Sequence, residues 1–199
     1  MKNDYYDRHG QEFSQATKDL EMTELHAPFL ALVPTGGFIL DAGCGSGRDL
    51  KLFAAAGYKT MGIDSSPEMV RLAQEHSGQP VEVMTFQEIE FADMFDGIWA
   101  CASLLHVPDS EFDNVLSRLA RALRRGGVLY MSFKYGTTES TRNGRLFNDF
   151  TEEKLNGHLA AQSGLELMHH WVTDDVRPGR SEEKWLNVLV RKARVASTL

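Results

Sequence analysis

The sequence predicts an α/β fold: a doubly wound, mostly parallel sheet of seven strands, with helices on both faces and a C-terminal antiparallel hairpin. Three observations predict it. Short apolar runs such as "FILDAG" and "VLYMSF" alternate with amphipathic stretches, and that alternation implies a parallel sheet covered on both faces. The last two runs, "LELMHHWVT" and "KWLNVLVRK", are joined only by the polar turn "DDVRPGRSEE". That is too short for a crossover helix, so the two pair antiparallel at one edge. Finally, the first run leads into Gly43, Gly45 and Gly47, the place in such a sheet where ligands bind.

The elements follow in order. The first 35 residues read as helical, with Leu25, Phe29, Leu32 and Val33 at mixed three and four spacings, until Pro34 and "TGG" break the pattern. After the first strand a helix through "RDLKLFAAAG" ends at Gly57. "YKTMGID" is the second strand; Ser66 as N-cap and Pro67 at the first helical position open a helix to about His76. "VEVMTF" and "FDGIWACASL" are the third and fourth strands. In the next helix Phe112, Val115, Leu116, Leu119 and Leu123 share one face. Ser110 and Asp113 suit a capping box, Arg124 and Arg125 complement its last turn, and Gly126 ends it. Residues 134–150 read as a loop, followed by a helix from Thr151 to about Ser163 and then the hairpin.

With 199 residues, 42% hydrophobic and 25% charged, the chain suits one globular domain with a sizeable core. No apolar run approaches the ~20 residues needed to span a membrane, and "MKNDYYDRHG" is too polar for a signal peptide. Two cysteines outside any CxxC pair give no disulfide framework, which predicts a reduced, cytoplasmic setting. The formal net charge of -7 disfavours general nucleic-acid binding, which rests on phosphate neutralisation by Lys and Arg.

Glycines let a ligand approach the backbone without a Cβ in the way. Asp64, ending the second strand, suits two hydrogen bonds from the ribose hydroxyls of an adenosine. Both a dinucleotide site and a nucleoside site fit that description. The details separate them: a dinucleotide fingerprint reads G-x-G-x-x-G, whereas this loop reads G-x-G-x-G. The strand before it ends in Asp41, an acid that opposes a diphosphate and suits a cationic ligand.

At these residues the chain resembles the class I S-adenosylmethionine-dependent methyltransferases. "LDAGCGSGRDL", "GIDSSPEMV" and "FDGIWACASLLHV" look like that family's first, second and fourth motifs. "ALRRGGVLYMSF" and the terminal hairpin extend the likeness over roughly residues 36 to 192. Within the family it looks most like short single-domain bacterial enzymes related to tellurite-resistance and other small-molecule methyltransferases. The resemblance implies a Rossmann-like fold, S-adenosyl-L-methionine as cofactor, S-adenosyl-L-homocysteine as product, and a small-molecule acceptor. It places Gly43, Cys44, Gly45 and Gly47 beneath the methionine moiety and Asp41 near its amino group and sulfonium; Arg48, which opens the next helix, either bonds the cofactor carboxylate or faces solvent. Asp64 would hold the ribose, and Ser65, Met69, Phe86 and Gln87 would border the adenine. Cys101 and Ala102 would line the methionine side through their backbone. It also implies one domain over 1–199: an N-terminal helical lid (1–35, with Tyr5, Tyr6 and Phe13), a cofactor-binding core (36–133), and a substrate-side segment with the closing hairpin (134–199).

Methyl transfer is an in-line displacement in which positioning supplies most of the acceleration. A base matters only when the acceptor must lose a proton, and His106, just past the fourth strand, is best placed for that role. Cys101 has no base partner in sequence and reads as a packing residue. Lys134, Arg142, Arg145, Arg177 and Arg180 form a group suited to an anionic acceptor. His169, His170, Asp174 and Asp175 do not make a metal site, because adjacent strand residues point to opposite faces. The rival readings are a nicotinamide-dependent oxidoreductase, a non-catalytic S-adenosylmethionine-binding module, and a methyltransferase acting on RNA or protein.

Overall fold

A computed structural model describes residues 4–193 apart from 163, 178 and 181. One sheet holds β1 (Phe38–Ala42), β2 (Lys59–Asp64), β3 (Val81–Val83), β4 (Phe95–Ala100), β5 (Leu123–Lys134), β8 (Leu165–Asp174) and β9 (Lys184–Lys192). Its order is β3-β2-β1-β4-β5-β9-β8. The pairings among β1 to β5 are parallel, while β5–β9 and β8–β9 are antiparallel. The chain runs outward from β1 to β3 and then crosses back to β4. Strand order therefore reverses between β1 and β4, and the crevice at their carboxyl ends is the switch point.

Because successive strand residues face opposite sides, each strand feeds two cores. On one side Leu40, Ile98, Leu129 and Val188 pack under Phe112, Val115, Leu116 and Leu119 of α5 (Asp109–Ala122). On the other, Ile39, Trp99, Val128, Tyr130 and Leu189 pack under Leu25 and Phe29 of α2 (Thr23–Leu30) and Phe53 of α3 (Arg48–Ala55). Trp99 and Tyr130 stack with centroids 3.8 Å apart. The remaining helices are α1 (Asp4–Thr17), α4 (Pro67–Ser77) and α6 (Glu152–Ala161). Ser66 caps α4 by accepting from the Met69 N–H at 3.2 Å, and Thr151 caps α6 by accepting from the Lys154 N–H at 3.4 Å. Ser163, the expected end of α6, lies outside the described residues. No helix among them is long and apolar enough to cross a membrane.

Three local expectations give way. The segment 134–150 is not one loop, since β6 (Glu139–Arg142) and β7 (Arg145–Asn148) form a hairpin. Its Asn143-Gly144 turn takes φ of 52° and 74°, the conformation that Asn-Gly favours in two-residue hairpin loops. The third strand covers only Val81–Val83 and then enters a 3-10 turn at Phe86–Glu88. Finally, α5 starts at Asp109 after Pro108 without a side-chain cap and stops at Ala122. Fully buried Leu123 turns extended to pair with Phe95, and Arg124 reaches Asp96 at 2.8 Å instead of closing the helix. Gly126, with φ 77°, lies in the register shift between the Phe95–Leu123 and Gly97–Val128 pairings.

Candidate cofactor and acceptor site

The loop between β1 and α3 is pinned to the end of β2. The Gly43 and Cys44 N–H groups donate to the Ile63 carbonyl at 2.8 and 3.0 Å. Gly45 N–H donates to Asp64 Oδ2 at 2.9 Å, while Ser66 N–H donates to Asp64 Oδ1 at 3.0 Å. One carboxylate thus fixes the glycine loop and the start of α4, leaving each oxygen with further acceptor capacity. Burial pushes the Asp64 carboxyl above its usual range against the lowering effect of the two N–H donors.

The glycines are obligatory in two ways. Gly43, Gly45 and Gly47 have φ of 79°, 54° and 82°, a region where an L side chain costs about 1–2 kcal/mol. A Cβ on Gly43 would lie 2.4 Å from Ser103 Cβ, and one on Gly47 would lie 3.0 Å from the Ala73 backbone. Gly47→Ala is therefore expected to lose about 2 kcal/mol or more of stability, combining backbone strain with overpacking, as read from a urea unfolding curve. Wild-type stability in that variant would show that the loop relaxes at no cost.

Beneath the loop lies a buried polar network. Asp49 Oδ1 accepts from Arg48 Nε at 2.8 Å and His26 Nε2 at 3.1 Å. Oδ2 accepts from Arg48 Nη2 and Trp99 Nε1, both at 2.8 Å. Burial opposes the charged form, but the Arg48 guanidinium holds this carboxyl far below its usual range. Arg48 is thereby committed on two of its nitrogens, and Nη1 faces the Thr17 carbonyl at 3.5 Å. Asp41 contrasts with Asp49. It is 3% exposed and its Oδ2 has no hydrogen-bond partner. Burial, then repulsion from Asp49, pushes its carboxyl well above the ordinary range.

The other expected positions surround this floor. Met69 is buried at the start of α4, Ser65 follows Asp64, and the Phe86 ring comes to 3.3 Å from the Cβ position of Gly43. Gln87 points to α5 instead, donating to Glu111 at 2.6 Å. The Ala102 N–H is taken by Ser132 Oγ at 2.8 Å, with Ala102 itself at φ 52°. Burial pushes the Cys101 thiol up to about 12, which keeps it protonated and supports the packing role. Cys44 is likewise raised by burial. Two residues that sequence reasoning missed complete the site. Ser103 Oγ donates to the Ala42 carbonyl at 2.7 Å and backs Gly43; Asp7 on α1 accepts from Ser66 Oγ. Single serines and acids of this kind carry no spacing signal.

The two N-terminal helices divide. Leu25 and Phe29 of α2 are core residues. Helix α1 instead lies against α4 and over the loop: a Cβ on Gly10 would meet Glu68 Cγ at 3.0 Å, and Phe13 stands 3.8 Å from the Cβ position of Gly45. At its start the helix reaches His106. The His106 Nδ1–H donates to the Leu146 carbonyl at 2.6 Å, which fixes the tautomer and leaves Nε2 as the lone-pair nitrogen. The Tyr6 hydroxyl donates to that nitrogen at 3.1 Å. Burial first, and Arg145 second, lower His106 to about 4.

A seven-stranded sheet in this order, with a glycine loop at its switch point and a reversed C-terminal pair, defines a class I methyltransferase fold. Residues 39–127, a little under half of the chain, match the family model described as a methyltransferase domain. The ubiquinone biosynthesis O-methyltransferase of Xanthomonas axonopodis pv. citri (strain 306) is 34% identical over 108 residues, 51% of this chain and 44% of that one. Its counterpart in Xanthomonas oryzae pv. oryzae (strain PXO99A) is 30% identical over 104 residues, 49% and 43% of the two chains. The matches span less than half the length of these relatives. Among solved structures, the Burkholderia thailandensis 1,6-didemethyltoxoflavin-N1-methyltransferase, with 1,6-didemethyltoxoflavin and S-adenosylhomocysteine bound, superposes with a TM-score of 0.75 at 23% identity, covering 96% of this chain and 84% of that one. A TehB-like methyltransferase from Corynebacterium glutamicum gives 0.70 at 21% identity, covering 93% and 98%. At these identities the likeness is one of fold.

Proposed function

We propose that this protein transfers a methyl group from S-adenosyl-L-methionine to a small-molecule acceptor, leaving S-adenosyl-L-homocysteine. One observation carries the reading. Asp41, next to last in β1, and Asp64, last in the neighbouring β2, flank a glycine cradle, and the buried Asp41 Oδ2 lacks the partner that a cationic amino group would supply. The residues present fit this cofactor. Gly43, Cys44, Gly45 and Gly47 form the floor, and Arg48 Nη1, which gives one N–H to the Thr17 carbonyl at 3.5 Å, keeps a second for a carboxylate. Asp64 accepts from ribose hydroxyls, and Ser65, Met69 and Phe86 border the base. Helix α1 is the lid, excluding water once the site is filled. The cofactor supplies a methyl group already activated by positive sulfur.

The chain's own contribution is to orient the acceptor and receive its proton. His106 Nε2 is a lone pair held in place by the Nδ1–H···Leu146 bond, and an acceptor hydroxyl sits where the Tyr6 hydroxyl now marks the position. The names of the Xanthomonas and Burkholderia proteins support a small acceptor, as does a net charge of -7, which does not favour a phosphate backbone. One domain in a cytoplasmic setting completes the reading.

Since His106 is lowered to about 4, its imidazole is neutral at pH 7 and remains so well below the ordinary value. The acid limb of kcat/KM against pH, which reports the free enzyme, is expected near 4, not near 6.5, for any acceptor that must lose a proton. His106→Ala is expected to lower kcat for such an acceptor by about 100-fold or more. A limb at 6.5, or full activity in the variant, would remove His106 from the chemistry.

The test of the activity itself is incubation with methyl-labelled S-adenosylmethionine and an acceptor panel. Label in a small product supports the proposal. Label recovered only in RNA or protein would contradict it. Tight cofactor binding without turnover across the panel would favour a non-catalytic binding module.

A further inference from the structure

Of the five cations on the acceptor side, four are neutralised by carboxylates. Lys134 pairs with Glu183, and Arg180 meets the other oxygen of Glu183 at 3.5 Å. Arg142 pairs with Asp149 at 3.3 Å, and Arg177 donates through Nε to Asp175 at 2.8 Å. Arg145 differs. Among the described residues no carboxylate pairs with it, and its Nε is buried without a hydrogen-bond partner. Its guanidinium lies 4.2 Å from the Tyr5 ring centroid and 5.2 Å from that of Phe147. Its Nη1 donates to the Tyr6 oxygen at 3.4 Å, and that same oxygen is 3.1 Å from His106 Nε2.

An unpaired guanidinium in an aromatic setting is a fork without its anion. The geometry points to Arg145 as the residue that selects the acceptor, by binding a carboxylate borne beside the hydroxyl that His106 serves. This rests on the methyltransferase reading above. Because Arg145 and His106 both contact one Tyr6 oxygen, the acceptor's hydroxyl and carboxylate lie close together, as on adjacent carbons of an aromatic ring. The Tyr5 and Phe147 rings that flank the guanidinium suit a planar acceptor. β7 carries Arg145, Leu146 and Phe147 in succession, so the same short strand supplies the anion site, the carbonyl that orients His106, and the apolar wall.

The test is calorimetric titration of the full-length protein with salicylate and with its neutral counterpart salicylamide, with and without saturating S-adenosylhomocysteine. Salicylate is expected to bind at least about tenfold tighter than salicylamide, the scale of a charge-assisted pair. Arg145→Gln is expected to erase that preference, Arg145→Lys to retain part of it, and Arg142→Gln to leave it intact. S-adenosylhomocysteine affinity stays unchanged in all three, which shows that they fold. A preference that survives in Arg145→Gln would overturn the proposal, as would equal binding of both probes, or no binding of either, to the wild type. Failure of the wild type to bind S-adenosylhomocysteine would instead remove the methyltransferase reading, while the titrations without it still report the anion preference.

Discussion

Asp64→Ala is expected to weaken S-adenosylmethionine binding by about 100-fold or more. Two charge-assisted hydrogen bonds to ribose hydroxyls are worth about 1.5–3 kcal/mol each, and every 1.4 kcal/mol is tenfold in affinity. The same carboxylate also accepts from Gly45 at 2.9 Å and Ser66 at 3.0 Å, so its loss frees the loop as well. S-adenosylhomocysteine, which shares the ribose, should weaken by the same factor. Titration calorimetry reads both. Unchanged affinity would place the ribose elsewhere and with it the whole site.

The second large effect is on stability. Asp49 satisfies donors from Arg48, His26 and Trp99 in the buried floor of the loop. Removing one partner of a buried ion pair typically costs 3–5 kcal/mol, so Asp49→Ala is expected to lose about 3–5 kcal/mol and to lower Tm by on the order of 10 °C. Proton linkage gives an independent check. The folded-state value lies far below the ordinary 3.8, so this stabilisation is fully present above the unfolded value and is lost as pH falls through and below it. The wild type should therefore lose stability on acidification below about pH 4, and a variant lacking the carboxylate should lose less. Equal acid sensitivity in both would show that Asp49 is not held as a strongly stabilised anion.

How much of this was legible in the sequence depends on range. Periodicity of two against three-to-four separates strands from helices, and "DDVRPGRSEE" leaves no room for a crossover; both the parallel core and the reversed β8–β9 pair follow. Asp41 and Asp64 were legible as acids at the carboxyl ends of their strands because local pattern alone puts them there, although β1 runs one residue further, to Ala42. The Asn-Gly at 143–144 carried a readable hairpin signal, but the polar, exposed Glu139–Arg142 run gave no alternation to support it. The end of α5 was misplaced because helical propensity near Arg124 competes with a tertiary demand, the burial of Leu123 against β4. The acceptor site was the least legible part. Tyr6 and His106 stand 100 positions apart, and Arg145 lies 139 positions from Tyr6. Sequence offered five cations as a group; only the folded chain shows that four face carboxylates. The first 35 residues likewise read as one helical lid, whereas the burial of Leu25 and Phe29 assigns α2 to the core.

The central claim is that the glycine loop, Asp41 and Asp64 hold S-adenosylmethionine. Calorimetric titration of the purified protein with S-adenosylmethionine, S-adenosylhomocysteine and NAD tests it most directly. Saturable binding of the first two at one site, with none of the third, is the result predicted. Binding of NAD alone would contradict it.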